Sequence, residues 1–108
     1  MSEQAVRESQ LSEIGLRLEA TREALGLKAV DICRELGFAA NTYSQWESGE
    51  RRPNIDDMML FCERHGLTLD WIYRGRSAGL PHELGGRILT TIGKLRARRN
   101  AGQKPNVA

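Results

Sequence analysis

The chain has 108 residues, of which 16 are basic and 14 acidic, giving a net charge of +2. This length supports one small domain with an appendage and is too short for a two-domain enzyme with a cofactor fold. The hydrophobic fraction of 40% is enough for a core, and the net charge is too low for a wholly disordered chain. We therefore expect one folded domain. Because the sequence has no paired carboxylates in an apolar setting, no Ser/His/Asp arrangement and no phosphate-cradling glycine loop, we expect no catalytic activity.

The charge is distributed unevenly along the chain. Residues 1–75 contain 9 basic and 13 acidic side chains, a net charge of −4, whereas residues 76–108 contain 7 and 1, a net charge of +6. This asymmetry excludes a uniformly basic DNA-coating protein and indicates a basic tail with an anionic partner. We expect most of the long-range attraction for such a partner to lie in this tail.

The predicted elements are helices that end at glycines, and β alternation is missing. Residues 1–10 are polar and are expected to be flexible, and residues 11–75 are predicted to form a compact domain of five helices. A plausible N-cap, Asn54, precedes the fourth helix. The predicted apolar face of that helix consists of Ile55, Met58, Met59 and Cys62.

The C-terminal part is predicted to be a linker over residues 76–81, an amphipathic helix over 82–99 and a disordered tail over 100–108. One face of this helix carries a stripe of Leu84, Ile88, Ile92 and Leu95. We expect this stripe to mediate dimerisation, and the alternative is that it folds back onto the core of its own protomer.

The second and third helices, joined at Gly37, form a helix-turn-helix pattern. Their apolar residues can share one core, and these are Ile32, Leu36, Phe38, Tyr43 and Trp46. The outward face of the third helix is uncharged and consists of Ala40, Asn41, Ser44 and Gln45. Asn and Gln can form bidentate hydrogen bonds to adenine, and Ala can contact a thymine methyl group, so this face is predicted to contact bases.

Residues 14–73 resemble the lambda-repressor/Cro type of helix-turn-helix regulator, also called the XRE type. The matching segments are Ile14-Gly15-Leu16-Arg17-Leu18, Arg22-Glu23-Ala24-Leu25-Gly26-Leu27, Ile32-Cys33-Arg34-Glu35-Leu36-Gly37, Thr42-Tyr43-Ser44-Gln45-Trp46-Glu47-Ser48-Gly49, Arg52-Pro53 and Leu69-Asp70-Trp71-Ile72. The resemblance implies an all-α, five-helix lambda-repressor-like domain that binds operator DNA, usually as a homodimer. The C-terminal helix is an addition to that domain.

The resemblance also assigns roles to single residues. Base contacts fall on the outward face of the third helix, and phosphate contacts are expected from Lys28, Ala39, Ser48, Arg51 and Arg52. Arg22 and Glu47 match a buried ion pair that positions the recognition helix. The chain departs from the family at Lys28 and Ala39, where Ser or Thr caps are common, and at Glu50, which places an acid in the phosphate-facing loop.

These observations predict a sequence-specific transcriptional regulator, a repressor that binds double-stranded DNA as a homodimer at a pseudo-palindromic operator. The alternative is a protein-interaction or antitoxin-type module whose helix-turn-helix binds DNA weakly.

Cys33 and Cys62 are expected to be buried thiols, since their spacing suits no zinc motif. No metal, cofactor or membrane partner is expected, no apolar run indicates a signal segment, and the expected location is a bacterial or phage-infected cytoplasm.

Overall fold

The computed structural model describes residues 2–103 and consists of six α-helices in that range. They are α1 (Glu3–Ala24), α2 (Ala29–Leu36), α3 (Ala40–Ser48), α4 (Ile55–His65), α5 (Leu69–Arg74) and α6 (His82–Gln103). No strand occurs over this part of the chain, which confirms the predicted all-α class. Nor is any helix within it long and apolar enough to cross a membrane.

Helix α1 begins earlier than the sequence predicts. The segment 1–10 was expected to be flexible, but the helix starts at Glu3 and is capped by the Ser2 hydroxyl, which accepts a hydrogen bond from the Ala5 amide at 3.1 Å. An ion pair one turn along, from Arg7 to Glu3 at 3.0 Å, lies on the same surface. Because a side-chain cap and such i,i+4 pairs both favour helix, this polar segment extends α1 without an apolar face.

Helix α1 lies at the centre of the fold and packs against α3, α5 and α6. Its inward side chains, Leu18 and Ala20, are completely buried. Thr21 is buried among them because its hydroxyl is fully used: it donates to the Arg17 carbonyl at 2.7 Å and accepts from the indole of Trp71 at 2.9 Å. This chain of bonds fixes α5 against the C-terminal part of α1.

The structure packs the α6 stripe within its own protomer, which is the alternative to the expected dimerisation. Leu84, Ile88, Ile92 and Leu95 are between 0% and 8% exposed and belong to the same core as α1. Burial of this stripe against α1 compensates for the glycines that weaken α6 as an isolated helix. The helix also runs to Gln103, so residues 100–103, expected to be disordered, are helical, and residues 104–108 lie outside the described part.

Helix α4 buries a different face from the predicted one. Its inward residues are Met58, Phe61 and Cys62, whereas Ile55 and Met59 are 54% and 50% exposed. The prediction placed four apolar residues on one buried face of α4. In the structure that face includes Phe61 instead, and Ile55 and Met59 lie in solvent. Cys62 is buried, and this burial raises the pKa of its thiol to about 11, so it remains protonated and unreactive near neutral pH.

Candidate nucleic-acid interface

The turn between α2 and α3 is closed by backbone geometry that glycine supplies. Gly37 has a φ of 77°, and its amide donates to the Cys33 carbonyl at 2.8 Å. Positive φ is costly for residues with a Cβ, which is why glycine suits this position. The following residue, Phe38, contacts the ring of Trp46 edge-on with a centroid distance of 5.2 Å, so the turn is fixed to the third helix.

Helix α3 presents an uncharged polar face to solvent. Tyr43 and Trp46 are buried, and they anchor the opposite side of the helix in the core. The residues predicted to contact bases point away from that core: Ala40, Asn41 and Ser44 are exposed and Gln45 is half-buried. Their side chains make no hydrogen bond to the protein within residues 2–103, so the amide and hydroxyl groups are available to an external partner.

The starts of α2 and α3 differ from those of α1, α4 and α5. Lys28 and Ala39 are their N-caps, both exposed, and neither makes a side-chain capping bond. By contrast Ser2, Asn54 and Thr68 each accept a bond from their own helix. The first-turn amides of α2 and α3 therefore lack a side-chain acceptor and can donate to an anion.

The loop after α3 is folded around one carbonyl group. The backbone oxygen of Gln45 accepts from the amides of Glu50 and Arg51, at 3.0 and 3.2 Å, and from the Ser48 hydroxyl at 3.2 Å. The hydroxyl proton of Ser48 is thus used locally and would have to be released before this side chain donates to a phosphate. Arg51 and Arg52 are exposed and form no ion pair with the described residues.

Arg22 and Glu47 join α1 to the end of α3. The two nearest atoms, Nε of Arg22 and Oε2 of Glu47, are 2.8 Å apart, and a second bond from Nη2 measures 3.2 Å. Nη1 of Arg22 also donates to the Leu27 carbonyl at 3.1 Å, so the pair connects the α1–α2 loop as well. The hydrogen bond that Arg22 donates to Glu47 raises the pKa of Arg22, so its guanidinium group stays charged.

Gly15 is a positioning residue that the sequence reasoning did not single out for this role. A Cβ at this position of α1 would collide with the backbone carbonyls of Glu47 and Trp46, the second at 2.6 Å. The backbones of α1 and α3 therefore approach each other at a distance that only glycine permits. The available signal was a glycine inside a helix that is otherwise rich in good helix formers.

Three arginines of α6 form ion pairs with glutamates of α1. Arg96 forms two hydrogen bonds to Glu13, at 2.7 and 2.8 Å, Arg99 binds Glu19 at 2.6 Å, and Arg98 lies 3.5 Å from Glu23. The tail was expected to supply most of the attraction for DNA, but these three cations are compensated within the protomer. Lys104, another residue of that tail, lies outside the described residues.

Comparison with known proteins places this chain in a family. A family model described as helix-turn-helix matches residues 18–72, just over half of the chain. No curated protein and no solved structure matches the chain. The matched span begins within α1 and ends in α5, and it includes the α2–turn–α3 unit with its exposed polar face. The chain belongs to the lambda-repressor-type, or XRE-type, helix-turn-helix family of DNA-binding regulators.

Proposed function

We propose that the protein is a sequence-specific transcriptional repressor that reads a pseudo-palindromic operator with α3 in the major groove. The observation that carries the proposal is the uncharged exposed face of α3, held outward by the buried Tyr43 and Trp46. Asn41 and Gln45 would form the specific hydrogen bonds, and Ala40 and Ser44 would contact the neighbouring base edges. The sites of action would be in a bacterial or phage-infected cytoplasm.

Phosphate contacts would surround this face on both sides. The uncapped amides at the starts of α2 and α3 can each donate to one phosphate, and Lys28 adds a cation beside the first of them. On the other side, Arg51 and Arg52 in the loop after α3 carry charges that no described acidic group neutralises. Ser48 would contribute only after its hydroxyl leaves the Gln45 carbonyl.

The repressor would act as a homodimer, with two recognition helices about 34 Å apart in successive major grooves. Since the α6 stripe is buried, the partner protomer needs another surface. Helix α4 offers one, because three of its apolar side chains, Ile55, Met59 and Leu60, are about half exposed. Antiparallel pairing of two α4 helices about Leu60 would also place Asp56 of each protomer opposite Arg64 of the other.

Selection of bound sequences from a random pool of DNA duplexes tests the proposal. Enrichment of a site with two related halves is the expected result, and a pool that remains random contradicts sequence-specific binding. Asn41→Ala should then weaken binding to the selected site by about 1–3 kcal/mol and relax the preference at one base pair. Asn100→Ala, a matched change on the exposed surface of α6, should leave both unchanged. An equal loss on all sequences would instead identify Asn41 as a phosphate contact.

A second candidate is a protein-interaction or antitoxin-type module. The exposed Ile55, Met59 and Leu60 favour it, because single exposed apolar residues are common but three on one short helix suit a protein partner. A gel shift with the DNA upstream of the protein's own gene separates the two candidates. Failure of an intact dimer to shift this DNA at low salt would favour the interaction module.

A further inference from the structure

A cleft of about 430 Å³ lies between α1, the loop from α3 to α4, and α5. Its walls are polar. Ser9, Gln10, Glu13 and Arg17 come from α1, Arg52 comes from the loop, and Arg74 comes from α5. None of the base-contacting residues of α3 lines it, so this cleft is distinct from the recognition face.

The inner wall of the cleft holds a buried arginine with spare donors. Arg17 is only 9% exposed, and its Nε donates to the Ile72 carbonyl at 3.0 Å. Its Nη1 and Nη2 make neither a hydrogen bond nor an ion pair with any residue from 2 to 103. Burial is the main cause that lowers the pKa of Arg17, which reflects incomplete compensation of its charge by the protein.

The rim of the cleft carries two further arginines, Arg52 and Arg74. The Tyr73 hydroxyl donates to the Pro53 carbonyl at 2.8 Å, which joins α5 to the loop. Because Arg52 and Arg74 are the sequence neighbours of these two residues, the bond keeps the backbone of both arginines beside the opening. Arg74 reaches Asp70 at 3.3 Å, and this pair is exposed to water.

The single carboxylate in the lining does not cancel this charge. Glu13 faces the cleft, but both of its oxygens accept hydrogen bonds from Arg96 at 2.7 and 2.8 Å. The guanidinium of Arg96 thus balances the Glu13 carboxylate, and the three arginines of the cleft retain a net positive charge. A concave site of this charge, with hydroxyl and amide groups beside it, suits a tetrahedral oxyanion.

We propose that the cleft binds a phosphate group, with the spare donors of Arg17 at its base and Arg52 and Arg74 closing over it. The phosphate belongs either to the DNA backbone, since Arg52 is also in the loop assigned to DNA, or to a small phosphorylated ligand. This site goes beyond base readout by α3, and free phosphate can test it without DNA.

The test is a titration of ¹⁵N-labelled protein with inorganic phosphate at constant ionic strength, with chloride as the reference anion. The Gly75 amide is a suitable probe, because a Cβ on Gly75 would lie 3.1 Å from Nη1 of Arg17. Phosphate should shift this signal in a saturable way and chloride should not. Arg17 also holds Ile72, so the variants are at the rim: Arg52→Gln and Arg74→Gln should each weaken the Kd for phosphate roughly three- to tenfold.

Arg34→Gln is the matched control, because Arg34 is an exposed arginine on α2 outside the cleft. It should bind phosphate as the wild type does. The proposal is overturned if phosphate and chloride give the same shifts in the wild type, or if Arg34→Gln weakens binding as much as the rim variants. Repeating the titration on the DNA complex identifies the source: shifts that persist indicate a free phosphorylated ligand, and shifts that are lost indicate a DNA phosphate.

Discussion

Two regions of the molecule carry many charges and use them differently. Between α1 and α6, three arginines of the basic segment meet three glutamates of α1, and every one of these cations has a partner. On the α2–α3 face and its following loop, Lys28, Arg51 and Arg52 are exposed, and no described acidic group pairs with them. The first region has more charge and the second has more uncompensated charge.

This difference shows that the net charge of a segment does not locate its anionic partner. The −4 of residues 1–75 and the +6 of residues 76–108 partly cancel each other inside one protomer, because α6 packs along α1. Attraction for DNA depends on cations that remain free after folding. Among the described residues these include Lys28, Arg51 and Arg52 beside α3, and also the exposed Arg76, Arg87 and Lys94 of the basic segment. We therefore interpret the α1–α6 ion pairs as part of a scaffold, and we propose that the α2–α3 face is the binding surface.

The ion pair that connects the two regions should give the largest effect on stability. Arg22→Met leaves the Glu47 carboxylate in a site where it is only 14% exposed, so we expect a loss of about 3–5 kcal/mol in the free energy of unfolding. Urea denaturation followed by circular dichroism measures this loss. Arg7→Met removes a solvent-exposed pair of the same helix and should change stability by roughly 0.5 kcal/mol or less. Similar losses in both variants would contradict a special role for the Arg22–Glu47 pair.

The scaffold role of α6 can be tested at its most buried residue. Ile88 is completely buried, so Ile88→Ala should destabilise the protomer by about 2–5 kcal/mol through lost burial and a residual cavity. The neighbouring Leu89 is 47% exposed, and Leu89→Ala should have little effect. Sedimentation of Ile88→Ala under native conditions should give the wild-type mass. A change from dimer to folded monomer would restore α6 as the dimer interface.

The close approach of scaffold and binding surface depends on Gly15. Gly15→Ala places a methyl group against the backbone of Trp46 and Glu47, which cannot move as a flexible side chain can. We expect a loss of about 1–3 kcal/mol in the free energy of unfolding and weaker operator binding, because α3 must shift. Gly86→Ala on α6 meets no atom within 4 Å and should gain about 1 kcal/mol from helix propensity. A stabilised Gly15→Ala would show that the two helices are not constrained at this point.

Much of the fold could be predicted from the sequence because its signals are local. The glycines that end the first five helices, among them Gly37 and Gly49, all have positive φ, and the all-α class and the family resemblance are confirmed. The sequence could not predict whether the α6 stripe packs within its own protomer or in a dimer. An apolar face indicates that a helix is buried, but not whether the surface that covers it belongs to the same chain. The pairing of Arg96 with Glu13 likewise depends on packing between segments 83 residues apart. The cleft of the proposed phosphate site is formed by three such segments, so no local motif marks it.

The difference between the two charged regions can also be tested through the salt dependence of DNA binding. Replacing Arg51 and Arg52 with Gln should reduce the slope of log affinity for DNA against log salt by roughly two, since each released counterion contributes about 0.9. Replacing Arg96, Arg98 and Arg99 with Gln removes more charge but should leave this slope nearly unchanged. The triple variant should instead lose about 0.2–1 kcal/mol of stability for each pair. Filter binding at several salt concentrations measures both slopes. If the triple variant gave the larger decrease, the α6 arginines would have to exchange their glutamates for phosphates on binding, and the basic tail would regain the role first expected of it.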